Sequence, residues 1–417
     1  MGFKRAALKK SFKNSETFAK GHTGFVLYDP QKQKTVYSRN EDQYFIPASN
    51  TKLFTFYVAQ KVLGDSIAGL KYIERGDSLI FWGTGDPSFL HADLKSTAAY
   101  HFLKNHPKDL YFANNFDQVV ALGPGWSWDW YNYYFATERS SFPVFGNAIR
   151  ISKESADTAF TISPYYFGQY VTEDTTLTTP RYRFSRQFQR NFYTYNIQDP
   201  SLEFEIDRPF ILSDSLMVRL LEDTLQRPVQ LIPFRNYNRS AYRSIQSVPA
   251  DSLYKRMLQN SDNFIAEQLL ILSADKLFDS LNTDAVIEYA KKNFLADLPD
   301  EPQWADGSGL SKHNLFTPRS IIVLLQKIDR EYPEEKVLDY LPTGGKTGTL
   351  RNSYKADPPY VHAKTGSLSN VSCLSGYLIT KKGKKLYFSF MHNNYVIPTA
   401  ALRSEMEKIL WQIHSTY

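Results

Sequence analysis

The chain contains a single cysteine, Cys373, among its 417 residues. One cysteine excludes an internal disulfide and any metal site built on several thiolates. No apolar run is long enough to cross a membrane, so the sequence predicts no transmembrane helix. Residues 1–21 carry positive charge but no apolar segment, and a secretory signal peptide is therefore not visible.

The chain also lacks a strong excess of charge of one sign, internal repeats and low-complexity segments. The formal net charge is only +6, from 49 basic and 43 acidic residues, which suits an anionic polymer without requiring one. Arginines alternate with aromatic residues at 181–192, but this pattern favours a strand with one solvated face, so no nucleic-acid partner is expected. The 42% of hydrophobic residues and the length indicate a folded protein of two or three domains.

Hydrophobic periodicity divides the chain into three parts. A β-hairpin at 23–40 is followed by a segment of about 48–63 that is apolar on nearly all faces, which predicts a buried helix. Short β-like runs separated by Gly, Pro and Asn fill 67–245 and predict a large, mostly β insert. Helical patterns return from about 250, and the C-terminal part predicts two strands at 367–380 and 384–393 before a final helix.

The start of the predicted buried helix carries Ser49 and Lys52, three residues apart. One helical turn places both side chains on one face, where a lysine of lowered pKa can take the serine proton. Ser-x-x-Lys also occurs at Ser252 and Ser273, where it is expected on the surface of amphipathic helices. Alone, Ser49 is equally consistent with a simple helix N-cap.

Two further elements complete the pattern. Ser261-Asp262-Asn263 interrupts a helical region and can direct a hydroxyl and an amide into one cleft, although such residues also serve as local caps. Lys-Thr-Gly occurs twice, from Lys346 and from Lys364. A lysine and a hydroxyl that bind a substrate carboxylate belong on a strand, and only the second copy precedes a strand-like run. Lys364-Thr365-Gly366 is therefore predicted as the functional copy, and the copy at Lys346 as a loop.

This order of Ser-x-x-Lys, Ser-Asp-Asn and Lys-Thr-Gly is the signature of penicillin-binding proteins and class A β-lactamases. The chain resembles the low-molecular-mass class C penicillin-binding proteins, the D-alanyl-D-alanine carboxypeptidase/endopeptidases of peptidase family S13. The resemblance covers nearly the whole chain and includes seven stretches: PASNTKLFT, WGTGDPSF, GWSWDW, SDNFIAEQLL, DGSGLS, LPTGGKTGTLRN and HAKTGSLSNVSCLSGY.

The resemblance implies an α+β fold, in which an antiparallel sheet is covered by helices. It implies a discontinuous catalytic domain at 1–66 and 246–417, interrupted by the insert at 67–245. The implied activity is a penicillin-sensitive serine DD-peptidase outside the cytoplasmic membrane, in the periplasm or an equivalent compartment. Its partners would be peptidoglycan peptides and, as covalent inhibitors, β-lactams, and no metal or cofactor is expected.

The resemblance also implies a role for each motif residue. Ser49 forms the acyl-enzyme, Lys52 takes its proton, Ser261 passes a proton to the leaving amine, and Asn263 orients Lys52 and the substrate amide. The terminal substrate carboxylate lies on Lys364 and Thr365, with Gly366 allowing close approach of the substrate backbone. The N–H groups of Ser49 and Ser367 form the oxyanion hole.

Three points stay open at this stage. Arg351 either holds a side-chain carboxylate of the stem peptide or is a surface arginine. Cys373 is most simply a core residue. The alternative functions are a serine β-lactamase, disfavoured by the long separation of Ser49 from Ser261 and by the lack of a Glu-x-x-Leu-Asn loop, and a catalytically weak scaffold that binds wall peptides.

Overall fold

The computed structural model describes residues 5–94, 96–155 and 159–417. Its helices, in chain order, are α1 (Arg5–Asn14), α2 (Glu16–Ala19), α3 (Thr51–Leu63), α4 (Ala98–Asn105), α5 (Asp214–Leu225), α6 (Ala250–Gln259), α7 (Asn263–Phe278), α8 (Thr283–Asn293), α9 (Pro318–Glu331), α10 (Glu334–Tyr340) and α11 (Thr399–Thr416).

The strands, in chain order, are β1 (His22–Asp29), β2 (Lys34–Arg39), β3 (Ala68–Arg75), β4 (Ser78–Gly83), β5 (Asp109–Asn114), β6 (Ala148–Lys153), β7 (Thr161–Ser163), β8 (Val171–Glu173), β9 (Tyr182–Arg186), β10 (Tyr193–Ile197), β11 (Phe204–Pro209), β12 (Val229–Pro233), β13 (Arg243–Gln246), β14 (Val361–Leu368), β15 (Val371–Ile379) and β16 (Lys385–Asn393). In the described residues, no helix is both long and apolar enough to span a membrane.

Two compact units share the chain. The first contains 1–61, 253–266 and 284–417, and the second contains 62–252 and 267–283. Unlike the predicted division, this grouping puts 267–283 with the insert, and the division of the chain into domains stays a prediction.

The first unit is built on a five-stranded antiparallel sheet in the order β14-β15-β16-β1-β2. The residues of β15 and β16 are almost all buried, because this sheet is covered on both faces. An aromatic and aliphatic core joins the sheet to α1, α2 and α11, with Phe12, Phe390 and Leu410 at its centre. α3 is buried all round, which explains why its apolar residues show no amphipathic stripe.

One strand prediction in this unit is wrong in detail. Residues 367–380 do not form a single strand: Ser367 and Leu368 end β14, and β15 begins at Val371. Asn370 between them has φ of +63°, the left-handed conformation that asparagine tolerates in tight turns. The apolar pattern runs on through this turn because both strands that it joins are buried.

The second unit contains the remaining three sheets, in the orders β8-β10-β9, β11-β6-β7 and β12-β5-β4-β3-β13. Its core is rich in phenylalanine, with Phe81, Phe112, Phe142 and Phe184 all buried. The sequence predicted its mostly β character, but α4 and α5 were not anticipated. These two helices precede β5 and β12, and β4, β5 and β12 run parallel.

Candidate active site

Ser49 lies on a short 3₁₀ turn, Ala48–Asn50, that leads directly into α3. Ala48 has φ of +46°, a left-handed conformation that an alanine adopts only where its surroundings hold it. Its carbonyl accepts a hydrogen bond from the Thr51 hydroxyl at 2.9 Å. Ser49 is half-buried, so its hydroxyl is fixed by the turn and still reachable from solvent.

Lys52 follows on the first turn of α3 and is completely buried. Its Nζ lies 2.9 Å from the Ser49 Oγ and 2.6 Å from the Asn263 Oδ1. It also donates to the Ser308 carbonyl at 2.7 Å. These partners hold the amine against the serine hydroxyl, within the distance that direct proton transfer requires.

Ser261 and Asn263 lie where α6 ends and α7 begins. Ser261 has φ of +59°, so the chain reverses sharply at this residue. Asp262 is buried and accepts hydrogen bonds from the Ile265 N–H at 3.1 Å and from the Arg256 Nε at 2.9 Å. The capping role that the sequence left open therefore falls to Asp262, which leaves the Ser261 hydroxyl to contact Lys364 and the Asn263 amide to contact Lys52.

Lys364 lies on β14 and is also completely buried. Its Nζ donates to the Ser261 Oγ and to the Thr365 carbonyl, both at 2.8 Å. Burial lowers the pKa of Lys364 well below its ordinary value, and the nearby Lys52 lowers this pKa further. No ion pair to Lys364 occurs among the residues that the structure describes, so an incoming carboxylate would supply its counter-charge.

β14 is an edge strand, and its first half pairs with the preceding loop. The Ala363 N–H donates to the Pro342 carbonyl, and the Val361 carbonyl accepts from Gly344. Because strand backbone groups alternate in direction every second residue, Thr365 and Ser367 also direct their N–H and C=O groups away from β15. Apart from the Thr365 carbonyl, which accepts from the Lys364 Nζ, these groups form an unpaired edge beside Ser49 in the part of the chain that the structure describes.

Gly366 has a packing role that the sequence did not predict. A Cβ at this position would lie 2.6 Å from the Pro47 carbonyl oxygen and 3.1 Å from the Asn50 N. The missing side chain therefore lets β14 approach the turn that carries Ser49, and the part of Gly366 in substrate approach stays a prediction. Asn50 completes this contact by donating to the Lys364 carbonyl at 2.9 Å.

The loop 306–311 supports the site from behind, and it was not assigned a role from the sequence. The buried Asp306 accepts hydrogen bonds from the Gly309 N–H at 2.8 Å and from the Ser311 N–H at 2.6 Å. Asp306 thereby fixes the Ser308 carbonyl that contacts Lys52. Gly309 has φ of +80° and touches the Ala48 backbone. The Asp-Gly-Ser-Gly pattern is a turn signal, but nothing local reveals its partner.

A cleft of about 420 Å³ opens beside these residues. Ser49, Ser261, Thr365, Ser367 and Arg351 all line it. Arg403, which the sequence did not single out, comes from α11, lines the same cleft and donates to the Ser367 Oγ at 2.9 Å. Cys373 lines the cleft too, although its thiol is buried and burial raises its pKa to about 12.

The competing motif copies contribute no lysine or serine to this cleft, although Gly348 of the first Lys-Thr-Gly lines it. Lys346 is exposed on a turn and does not line the cleft. Ser252 and Lys255 are exposed on α6, as expected. Ser273 is the exception, because it is fully buried and donates to the Leu269 carbonyl at 2.7 Å instead of lying on the surface.

The hydrogen bonds thus bring together Ser49, Lys52, Ser261, Asn263 and Lys364. A serine bonded to a buried lysine, with a second serine bonded to a second lysine, defines a serine acyl-transfer enzyme of the penicillin-binding class. A model of the D-Ala-D-Ala carboxypeptidase 3 (S13) family matches residues 4–196 and 231–413. The chain belongs to this family.

Individual relatives agree in fold and length. The D-alanyl-D-alanine carboxypeptidase DacB of Haemophilus influenzae is 24% identical, over 90% of this chain and 86% of its own. The penicillin-sensitive carboxypeptidase A of Dictyostelium discoideum is 24% identical, over 88% of this chain and 82% of its own length. The crystal structure of penicillin binding protein 4 (dacB) of Haemophilus influenzae has a TM-score of 0.76 at 20% identity, over 99% of this chain and 100% of that one. The predicted α+β penicillin-binding fold is confirmed.

Proposed function

We propose that this protein is a penicillin-sensitive serine DD-peptidase that removes terminal D-Ala from peptidoglycan stem peptides, cuts D-Ala cross-links, or does both. The observation that carries the proposal is the Lys52 Nζ, which is buried and lies 2.9 Å from the Ser49 Oγ. The peptidoglycan substrate places the proposed site of action outside the cytoplasmic membrane.

In the acylation step, the Ser49 Oγ attacks the carbonyl carbon of the penultimate D-Ala. The Lys52 Nζ takes the hydroxyl proton, while Asn263 holds this side chain in place at 2.6 Å. The backbone N–H groups of Ser49 and Ser367 stabilise the negative charge on the carbonyl oxygen. The unpaired edge of β14 supports this assignment, since Ser367 directs its N–H away from β15.

The C–N bond of the substrate then breaks, and Ser261 passes a proton to the leaving amine. Lys364 lies 2.8 Å from the Ser261 Oγ and keeps this hydroxyl oriented. Water hydrolyses the resulting ester and frees Ser49. A β-lactam would form the same ester, but its leaving amine stays tethered to the acyl group.

Two positive side chains are assigned to substrate carboxylates: Lys364, buried behind the cleft lining, and Arg351, which lines the cleft. Lys364 and Thr365 bind the terminal carboxylate, which restores the counter-charge that Lys364 lacks. Gly366 keeps β14 close to Ser49. Arg351 is exposed at the rim of the cleft and is placed to bind a second carboxylate on the side chain of the stem peptide.

The nucleophile is tested by labelling with a fluorescent penicillin and denaturing electrophoresis. Wild type is expected to keep the label, and Ser49→Ala is expected to lose it entirely while retaining the circular dichroism spectrum of wild type. Ser252→Ala is a matched control that should label normally. A labelled Ser49→Ala protein would contradict the assignment, and release of the label within minutes would favour a β-lactamase instead.

A further inference from the structure

A second cleft, of about 630 Å³, lies within the second unit and is separate from the residues of the acylation site. It forms where β4, β5 and β12 end: Trp82 is the penultimate residue of β4, and Asn115 and Phe234 directly follow β5 and β12. The three strands are parallel. The carboxyl ends of parallel strands are the edge at which open α/β sheets bind ligands.

Aromatic side chains form the apolar part of this cleft. Trp82 is buried, and Tyr237 stacks on it with ring centroids 4.9 Å apart. Tyr242 meets Trp82 edge-on at 5.5 Å. Phe278, at the end of α7, leaves 41% of its surface exposed and is the ring that a ligand can reach.

The polar part consists mainly of amides, from Asn115, Gln118, Asn236 and Asn282. Asn115 is 2% exposed, and its Nδ2 donates to the Gly83 carbonyl at 3.0 Å. Its Oδ1 is buried and has no hydrogen-bond partner in the part of the chain that the structure describes. Buried amide oxygens are almost always paired, so an unpaired acceptor on a residue that lines the cleft leaves one hydrogen bond for a polar partner from outside the chain.

The charges of the cleft balance one another. Asp275 and Asp279 line it, and the Lys71 Nζ lies 2.6 Å from a carboxylate oxygen of each. The Arg239 Nε approaches Asp279 at 3.8 Å. Each of the two carboxylates that line the cleft is therefore paired with a cation, so neither is left to attract a positively charged ligand.

We propose that this cleft binds an uncharged sugar unit of the peptidoglycan glycan, with N-acetylated hexose as the chemical class. Such a sugar combines an apolar ring face, which suits the exposed ring of Phe278, with hydroxyl and acetamido groups, which suit amides and shielded carboxylates. The inference deepens the proposed function, because it assigns the glycan part of the same polymer whose peptides react at Ser49.

The test is isothermal titration calorimetry of the full chain with the N-acetylglucosamine tetramer as the probe. Wild type and Ser49→Ala are expected to bind it with equal affinity. Phe278→Ala should weaken binding about threefold to tenfold, the usual range for losing one aromatic contact. Asn236→Ala, at an exposed position in the cleft, should weaken it as well. Tyr165→Ala, which removes an aromatic ring that is 88% exposed and lies outside the cleft, should bind like wild type.

Two results would overturn the inference: no heat of binding for wild type at millimolar sugar, or equal affinity for wild type and both cleft variants. Failure of the proposed function looks different. If the protein binds the tetramer but does not cleave D-Ala-D-Ala peptides, the proposed peptidase function is wrong and the proposed sugar site stands. If both proposals hold, the Phe278→Ala variant should cleave glycan-free peptides at the wild-type rate. It should cleave intact peptidoglycan more slowly than wild type.

Discussion

The tripeptide Lys-Thr-Gly stands at two places in the catalytic unit, and the two copies have opposite environments. Lys364 is completely buried on β14 and bonded to Ser261, whereas Lys346 is exposed on a turn. Even the glycines differ. Gly366 makes room for the Pro47 carbonyl, while Gly348 has φ of +56° beside the Gln259 backbone. Identical residues thus acquire different chemistry from the elements that carry them.

The largest effect is expected at a third lysine, Lys52, which is hydrogen-bonded to Ser49 itself. Replacing Lys52 with Ala removes the only amine within hydrogen-bond distance of the Ser49 hydroxyl among the described residues. We expect the second-order acylation rate by a β-lactam to fall by roughly 10² or more, the scale for loss of a positioned base. Stopped-flow measurement against Lys255→Ala, the matched lysine of the exposed Ser-x-x-Lys, provides the control. A rate within a few-fold of wild type would rule out this role.

The next largest difference is expected between the two copies themselves. Lys364→Ala should lower the acylation rate by at least about tenfold, because a hydrogen bond to a charged group contributes about 1.5–3 kcal/mol. Lys346→Ala should change the acylation rate less than about threefold, because Lys346 is exposed and does not line the cleft. The two variants are measured side by side with a D-Ala-D-Ala peptide. Equal losses would mean that both lysines contact the substrate.

Replacing the glycine of each copy with alanine should affect different properties, acylation for Gly366 and stability for Gly348. Gly366→Ala places a methyl group 2.6 Å from the Pro47 carbonyl oxygen and must push β14 away from Ser49, so we expect about a tenfold loss of acylation or more. Gly348→Ala forces an alanine into a left-handed conformation and places its methyl group 2.7 Å from the Gln259 carbonyl oxygen, so it should cost at least about 1–2 kcal/mol of unfolding free energy. Urea unfolding and acylation rates of both variants test this. The expectation fails if Gly348→Ala has the larger effect on acylation.

The smallest expected effect concerns stability and pH. The pKa of Lys364 is lowered in the folded state, so between this lowered pKa and the ordinary value near 10.5 the unfolded chain binds more protons. The contribution of Lys364 to stability is therefore lost as pH falls from about 10.5 toward the lowered pKa. Lys364→Met should raise the melting temperature at neutral pH, with a gain that shrinks at alkaline pH.

The matched variant for this measurement is Lys346→Met, because its side chain is exposed and should leave the melting temperature nearly unchanged. Differential scanning calorimetry at pH 7 and pH 9.5 compares the two. A Lys364→Met protein that is less stable than wild type at pH 7 would show that the hydrogen bonds of Lys364 outweigh its burial cost.

Much of the site was predictable because each motif combines local chemistry with a local structural signal. Ser49 and Lys52 are one turn apart at a helix start, and Ser261 interrupts two helical patterns, so element types followed from spacing and periodicity. The choice of Lys364 over Lys346 depended on the strand pattern after Gly366. The same pattern did not predict the turn at Asn370, because the apolar residues continue from β14 into the buried β15 without a break.

The motifs and the periodicity alone were enough to predict the fold class and the membership in a family of serine DD-peptidases. Only the tertiary structure revealed that Asp306 positions the carbonyl bound by Lys52, that Arg403 reaches Ser367, and that Gly366 faces the turn of Ser49. The reason is physical: periodicity and turn chemistry act between neighbours a few residues apart, whereas these contacts join residues distant along the chain. Such contacts exist only once the sheet and helices have packed, so no local pattern records them.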